Sequence, residues 1–209
     1  MTIKGIIFDL DGVLIHTDEL HYQAWKELAD HMGIYFDRSI NEKLRGVSRM
    51  DSLEIILGEN SLSNTEKEVL ADEKNEKYRK LLATLKPSDV TDEVRETLAA
   101  LKEKGIKIAI GSSSKNAKFI LQQIGLLDEF DAISDGNNIS RSKPDPEVFL
   151  KAAEFLNLPP EECIVVEDAQ AGIAAANAGG FISAGYGSAA SDPEAKRVLN
   201  TLSDLVGLV

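Results

Sequence analysis

Cysteine occurs once in the 209 residues, at Cys163, so no internal disulfide can form and the chain suits a reducing compartment. Its setting, Cys163-Ile164-Val165-Val166, reads as a buried strand, which makes the thiol structural rather than nucleophilic. Long apolar runs are missing too: none approaches the roughly 20 residues of a membrane span. The N-terminus enters a strand without a signal-peptide pattern, so a cytoplasmic location with no membrane partner is expected. Basic residues are the scarce charge, 23 Lys+Arg against 35 Asp+Glu, for a formal net charge of -12. That balance argues against nucleic acid or an anionic membrane as partner. It also sets a condition: an anionic substrate would need a divalent cation and local Lys or Arg to reverse the field inside its site. Internal repeats and low-complexity tracts are absent as well.

What is present begins with Ile6-Ile7-Phe8-Asp9-Leu10-Asp11-Gly12. The unbroken apolar run reads as a strand buried on both faces of a parallel sheet. In open α/β sheets the ligand crevice lies beyond the carboxyl ends of the strands, so this strand delivers two acids, Asp9 and Asp11, into a crevice. Gly12 permits a tight turn.

From Thr17 to about Leu85 the pattern is helical with no strand. Thr17 is expected to cap a helix with the stripe Tyr22, Trp25, Leu28, Ala29 and Met32, stopped at Gly33. A short polar helix is expected over 41–44, and Ser48-Arg49-Met50-Asp51 resembles a capping box opening another. A long charged helix follows over 64–85, with Leu70, Tyr78, Leu81 and Leu82 inward. This is a helical module inserted after the first strand: residues 17–85, with 1–16 and 86–209 forming the core domain. From Thr91 the chain alternates helix and strand. Strands are expected at 106–110, 130–133, 163–166 and 181–184. Helices are expected at 92–104, 115–124, 146–156 and 170–178, with a last one over 193–199. The fold class is α/β, a doubly wound parallel sheet with an inserted helical module.

Each strand end supplies a different polar group: Asp9 and Asp11, then Ser112, then Glu167 and Asp168, with Lys143 ahead of a further helix. Carboxylates, a hydroxyl and an ammonium therefore converge. Asp9 and Asp168 suit Mg2+, a hard cation that takes a few carboxylates with water and phosphate. Ser112 with nearby backbone N–H groups suits a phosphoryl oxygen, and Lys143 neutralises the remaining charge. This is the inventory for phosphoryl transfer to a carboxylate nucleophile.

These four ordered motifs resemble the haloacid dehalogenase (HAD) superfamily, phosphotransferase branch, which implies a Rossmann-like core with the helical insertion as an α-helical cap. The resemblance implies Mg2+ held among Asp9, Asp11, Glu167 and Asp168, and Asp9 as a nucleophile that becomes an aspartyl phosphate. Asp11 would be the general acid/base, with Ser112 and Lys143 completing the catalytic set. The cap is similar to that of the β-phosphoglucomutase family through Thr17, His21 and Trp25, the run Arg45-Gly46-Val47-Ser48-Arg49, Lys74-Asn75, and Ser114, Lys115 and Asn116. There the resemblance implies binding of a small phosphorylated sugar. Arg49 and the residues after the serine would hold the non-transferring phosphate, while His21 and Lys74 would couple binding to closure. Arg45 stands where that family usually carries lysine, His16 where aspartate is expected, and Ala169 where some relatives have a hydroxyl.

Other readings compete residue by residue. His16 and His21 lie five apart, wrong for a helical metal pair, and His31 reads as surface. Trp25 reads first as core packing rather than a sugar platform, and Lys74, taken alone, as solvated. Three functions follow: a mutase converting β-D-glucose 1-phosphate to glucose 6-phosphate through the 1,6-bisphosphate, a sugar-phosphate hydrolase, and a non-catalytic phosphometabolite binder. A hinged cap needs free movement, so a monomer is expected.

Overall fold

The computed structural model describes residues 2–44 and 47–209. Its core is a six-stranded sheet in the order β3-β2-β1-β4-β5-β6, every neighbouring pair parallel. The strands are β1 (Gly5–Phe8), β2 (Lys107–Gly111), β3 (Ala132–Ser134), β4 (Cys163–Glu167), β5 (Ile182–Gly185) and β6 (Arg197–Val198).

Alternation along the strands explains the layers. Ile6 and Phe8 of β1, Ile108 and Ile110 of β2, and Ile164 and Val166 of β4 share one apolar cluster. Helices α5 (Asp92–Glu103) and α6 (Ala117–Gln123) cover that face. Ile7, Ala109 and Val165 point the other way, with Cys163, against α7 (Glu147–Leu156) and α8 (Gln170–Ala178). Both faces are covered, which is why these strands read as continuous apolar runs. Burial pushes the Cys163 thiol up to about 12, helped by Glu162 and Glu161; it is packing, not a nucleophile.

Between β1 and β2 the chain forms α1 (Asp18–His31), α2 (Arg38–Glu42), α3 (Arg49–Leu57) and α4 (Asn64–Leu82). Trp25, Leu28, Phe36, Leu53, Ile56 and Ala71 make a separate apolar cluster here, while Ala24, Tyr78 and Leu82 join the cluster of the sheet. Helix starts follow local chemistry. Ser48 accepts the Asp51 N–H, and Ser63 and Glu66 form a full capping box. Asp37 accepts the Ile40 N–H, which starts α2 at Arg38 rather than at the expected Asn41.

Two further expectations are corrected. The stretch expected as a last helix over 193–199 holds strand β6 instead, with Ala184 paired to Arg197 and Gly185 to Val198. After this edge pairing with β5, Leu199 and Leu202 are buried in the core. Helix α6 begins at Ala117, two residues later than expected, so Ser112 lies in a loop and not at a helix N-terminus.

Candidate active site

β1 sits at the centre of the sheet, where the chain runs outward on both sides, and its carboxyl end opens onto the crevice. Asp9 extends the ladder by one bond, its N–H donating to the Val166 carbonyl at 2.9 Å. Gly12 then turns with φ +89°, and a Cβ there would lie 2.1 Å from Asp168 Oδ2. Glycine is needed for the turn and for the approach of that carboxylate. Gly172 has the same relation to Glu167, whose Oε1 would meet a Cβ at 2.0 Å.

Lys143 joins the two acidic strand ends. Its Nζ lies 2.6 Å from Asp9 Oδ1 and makes a short bond to Glu167 Oε1. Glu167 Oε2 accepts the N–H groups of Asp168 and Ala169 at 3.0 and 3.1 Å, so both oxygens of Glu167 are committed. Burial opposes the Lys143 charge, but Asp9 and Glu167 outweigh it and hold the ammonium above its ordinary pKa. Burial conversely raises Glu167, against the pull of Lys143.

Asp11 is held differently. The Thr17 hydroxyl donates to its Oδ1, so Thr17 sits at the start of α1 without capping it by its side chain. Burial and then the Asp9 charge raise the Asp11 carboxyl from 3.8 to about 7, while Thr17 opposes the shift. A carboxyl placed so can give or take a proton near neutral pH.

An oxygen from each of Asp9, Glu167 and Asp168 lies within 4.8 Å of the others. All three are hard oxygen donors of the kind Mg2+ takes, and the two glycines above leave room for the carboxylates. The Asp11 side chain is outside that cluster.

The residues after β2 are fixed by their own hydroxyls. Ser112 Oγ accepts the Ser114 N–H and Ser114 Oγ accepts the Asn116 N–H, both at 3.1 Å, turns of the kind serine favours. Ser113 Oγ is buried in the lining with no hydrogen-bond partner among the described residues.

On the helical side, Lys74 is 3% exposed, not solvated as its charge-rich helix suggests. Its Nζ lies 4.5 Å from the Trp25 ring centre, 4.4 Å from that of Tyr78, and 2.9 Å from His21 Nδ1. Trp25 therefore offers its face to an ammonium rather than to a sugar. Burial and the Arg49 charge lower the Lys74 pKa, and the two π faces offset part of that cost. Burial, then Lys74 and Arg49, hold His21 well below 6.5, with its Nδ1 in hydrogen-bond contact with Lys74 Nζ. Arg49 Nη1 stands 3.6 Å from Asp72. His16 and His31 are exposed, as surface residues should be.

All of this faces one cleft of about 870 Å³. Asp9, Asp11, Ser112, Lys143, Glu167 and Asp168 line it from the sheet, with Ser114, Lys115 and Asn116. His21, Trp25, Val47, Ser48, Arg49 and Lys74 line it from the helices. Thr17 acts from beneath through Asp11. Arg45 and Gly46 lie outside the described residues. Among the described lining residues, eight Asp and Glu still outnumber five Lys and Arg, so Lys143 alone does not reverse the field at Asp9. Sequence reasoning missed Tyr78 and Arg141 as lining residues. Tyr78 has the spacing of a core residue, and Arg141 is an ordinary loop arginine by pattern.

The chain as a whole has known relatives. The sequence matches the family model described as haloacid dehalogenase-like hydrolase over residues 3–180. The chain belongs to that family. Among family members, it is 42% identical to a β-phosphoglucomutase of Bacillus subtilis (strain 168), covering 97% of this chain and 92% of the relative. It is 32% identical to a phosphorylated carbohydrates phosphatase of Thermotoga maritima, over 86% of this chain and 82% of the relative. A crystal structure of β-phosphoglucomutase from Clostridium difficile superposes with TM-score 0.92 at 40% identity, over 98% of this chain and 93% of that one. No helix among the described residues is long and apolar enough to cross a membrane.

Proposed function

We propose that this HAD-family enzyme is a β-phosphoglucomutase, converting β-D-glucose 1-phosphate to glucose 6-phosphate through the 1,6-bisphosphate. The observation that carries the reading is the pairing of Asp9 with Lys143 at one end of a cleft whose other wall presents Arg49. A single-phosphate substrate needs only the first end; a bisphosphate that reorients needs both. The 42% identity to a β-phosphoglucomutase supports the same choice.

Each step uses residues of the chain. Lys143 holds Oδ1 of Asp9 and so aims the carboxylate, whose other oxygen attacks phosphorus. The P–O bond of the bisphosphate breaks as the Asp9 O–P bond forms, and Asp11 gives its proton to the leaving sugar oxygen. In the reverse direction Asp11 takes the proton of the attacking sugar hydroxyl as that oxygen takes the phosphoryl group from Asp9. Ser112 and the neighbouring N–H groups orient the phosphoryl oxygens. Arg49, Ser114, Lys115 and Asn116 hold the phosphate that is not transferred. Asp9 and Asp168 would hold Mg2+, which when bound offsets charge on the transferring group. Residues 17–85 act as a cap that closes on sugar phosphate rather than on water. The reading takes the enzyme to be a cytoplasmic monomer.

The test supplies Mg2+, β-glucose 1-phosphate and a trace of the bisphosphate. Glucose 6-phosphate as the main product supports the mutase. Inorganic phosphate in its place would assign the hydrolase, the activity named for the Thermotoga relative. Binding without turnover would leave a phosphometabolite binder.

A further inference from the structure

Asn116 stands on the core loop after β2, 5% exposed, yet its side chain is tied to the helical insertion at both ends. Its Nδ2 donates to Asn75 Oδ1 at 2.9 Å, and its Oδ1 accepts from Arg79 Nη1 at 3.1 Å. Both partners lie one turn apart on α4. Reversing the amide would set NH2 against the guanidinium, so the network fixes its orientation. The Arg79 guanidinium also lies 4.3 Å from the ring centre of Phe119, on α6. Asn75 and Asn116 line the cleft, while Arg79 does not.

A carboxamide has two N–H donors and two acceptor positions. Two of the four are used by α4, so one N–H is left for a ligand in the cleft. The same side chain can thus hold a phosphate and the cap together. We propose that Arg79 is a positioning residue of this enzyme, acting through Asn116 to hold the helical insertion over the cleft so that the non-transferring phosphate is met by a prearranged amide. The proposal rests on residues 17–85 being a moving cap and on a sugar phosphate occupying the cleft. Arg79 touches neither substrate nor reacting atoms. From the sequence it is one more charge on an exposed helix face, and no pattern marks it.

Arg79→Ala tests this, with Arg79→Lys as the conservative partner. Small-angle X-ray scattering of the ligand-free chain should show a larger radius of gyration for R79A, with R79K between it and the unmodified protein. The KM for β-glucose 1-phosphate should rise about tenfold in R79A, the scale of a lost hydrogen bond to a charged group, with kcat within about twofold. The aspartyl phosphate formed from acetyl phosphate should hydrolyse faster, since water reaches an unlatched cleft. A lower Tm with unchanged scattering, KM and lifetime would reduce Arg79 to packing and overturn the proposal, as would a fall in kcat at constant KM. Failure of the mutase reading is a separate result: the unmodified enzyme would make no glucose 6-phosphate, while scattering and phosphoenzyme lifetime would still report on Arg79.

Discussion

Lys143 and Asp9, 134 positions apart, meet with Nζ 2.6 Å from Oδ1, and the lysine side chain is 2% exposed. An ammonium taken so far out of water is stable only because two carboxylates share it. Removing it in Lys143→Ala leaves Asp9 and Glu167 buried with like charge. The expected loss is about 3–5 kcal/mol, read by urea unfolding. Added Mg2+ should restore more stability to that variant than to the unmodified chain, because the cation takes over part of the ammonium's role. Equal responses to Mg2+ would count against this account.

Asp9→Asn keeps the shape of the side chain and removes its charge. Labelling with acetyl phosphate should then yield no acid-stable, base-labile phosphate on the protein, and turnover should vanish. Mass spectrometry of the intact chain reads this directly. A labelled Asp9→Asn chain would move the nucleophile elsewhere.

Gly12→Ala puts a methyl group into Asp168 and forces an L residue to φ +89°. The backbone cost alone is about 1–3 kcal/mol. Because the clash falls on a carboxylate at the acidic cluster, Mg2+ affinity should drop together with stability. Calorimetric titration of Mg2+ checks it; unchanged affinity would show that Asp168 holds no metal.

Thr17→Val is nearly isosteric and deletes the hydroxyl that donates to Asp11. Phosphorylation of Asp9 by acetyl phosphate, whose leaving group needs little protonation, should change little. Sugar-phosphate turnover, which in the proposed mechanism uses the Asp11 proton, should fall about tenfold, the scale of one charge-assisted hydrogen bond. Parallel losses in both assays would leave Thr17 a packing residue.

His21 gives a pH dependence with a definite sign. Its folded pKa is held well below 6.5 by burial, Lys74 and Arg49. Above pH 6.5 neither the folded nor the unfolded chain binds the proton. As pH falls through 6.5 the unfolded chain takes it up and the folded chain does not, so stability declines until the folded pKa is reached. The slope from this one group is at most about 1.4 kcal/mol per pH unit. Urea unfolding at pH 7.5 and 5.5 should show a smaller drop for His21→Gln than for the unmodified protein.

Much of this architecture is local, and local features can be read from the chain. The apolar run ending in Asp9 and the small-residue helix after Asp168 each carry their own physical signature. The helical stretch between Thr17 and Leu85 and the buried setting of Cys163 were legible for the same reason. Where the reading failed, a distant partner decided the outcome. Residues 193–199 have helical character in isolation, yet β5 offers an open edge and draws Arg197 and Val198 into a sheet. Lys74 sits among charges in sequence, but folding sets Trp25, Tyr78 and His21 around it.

The sequence by itself determined which groups stand at the strand ends, because strand period and turn residues fix that within a few positions. Only the tertiary structure decided who satisfies whom. It gives Lys143 to Asp9 and Glu167, Thr17 to Asp11, and Arg79 to Asn116. A side chain removed from water must find its partner in space, and space is set by every element at once.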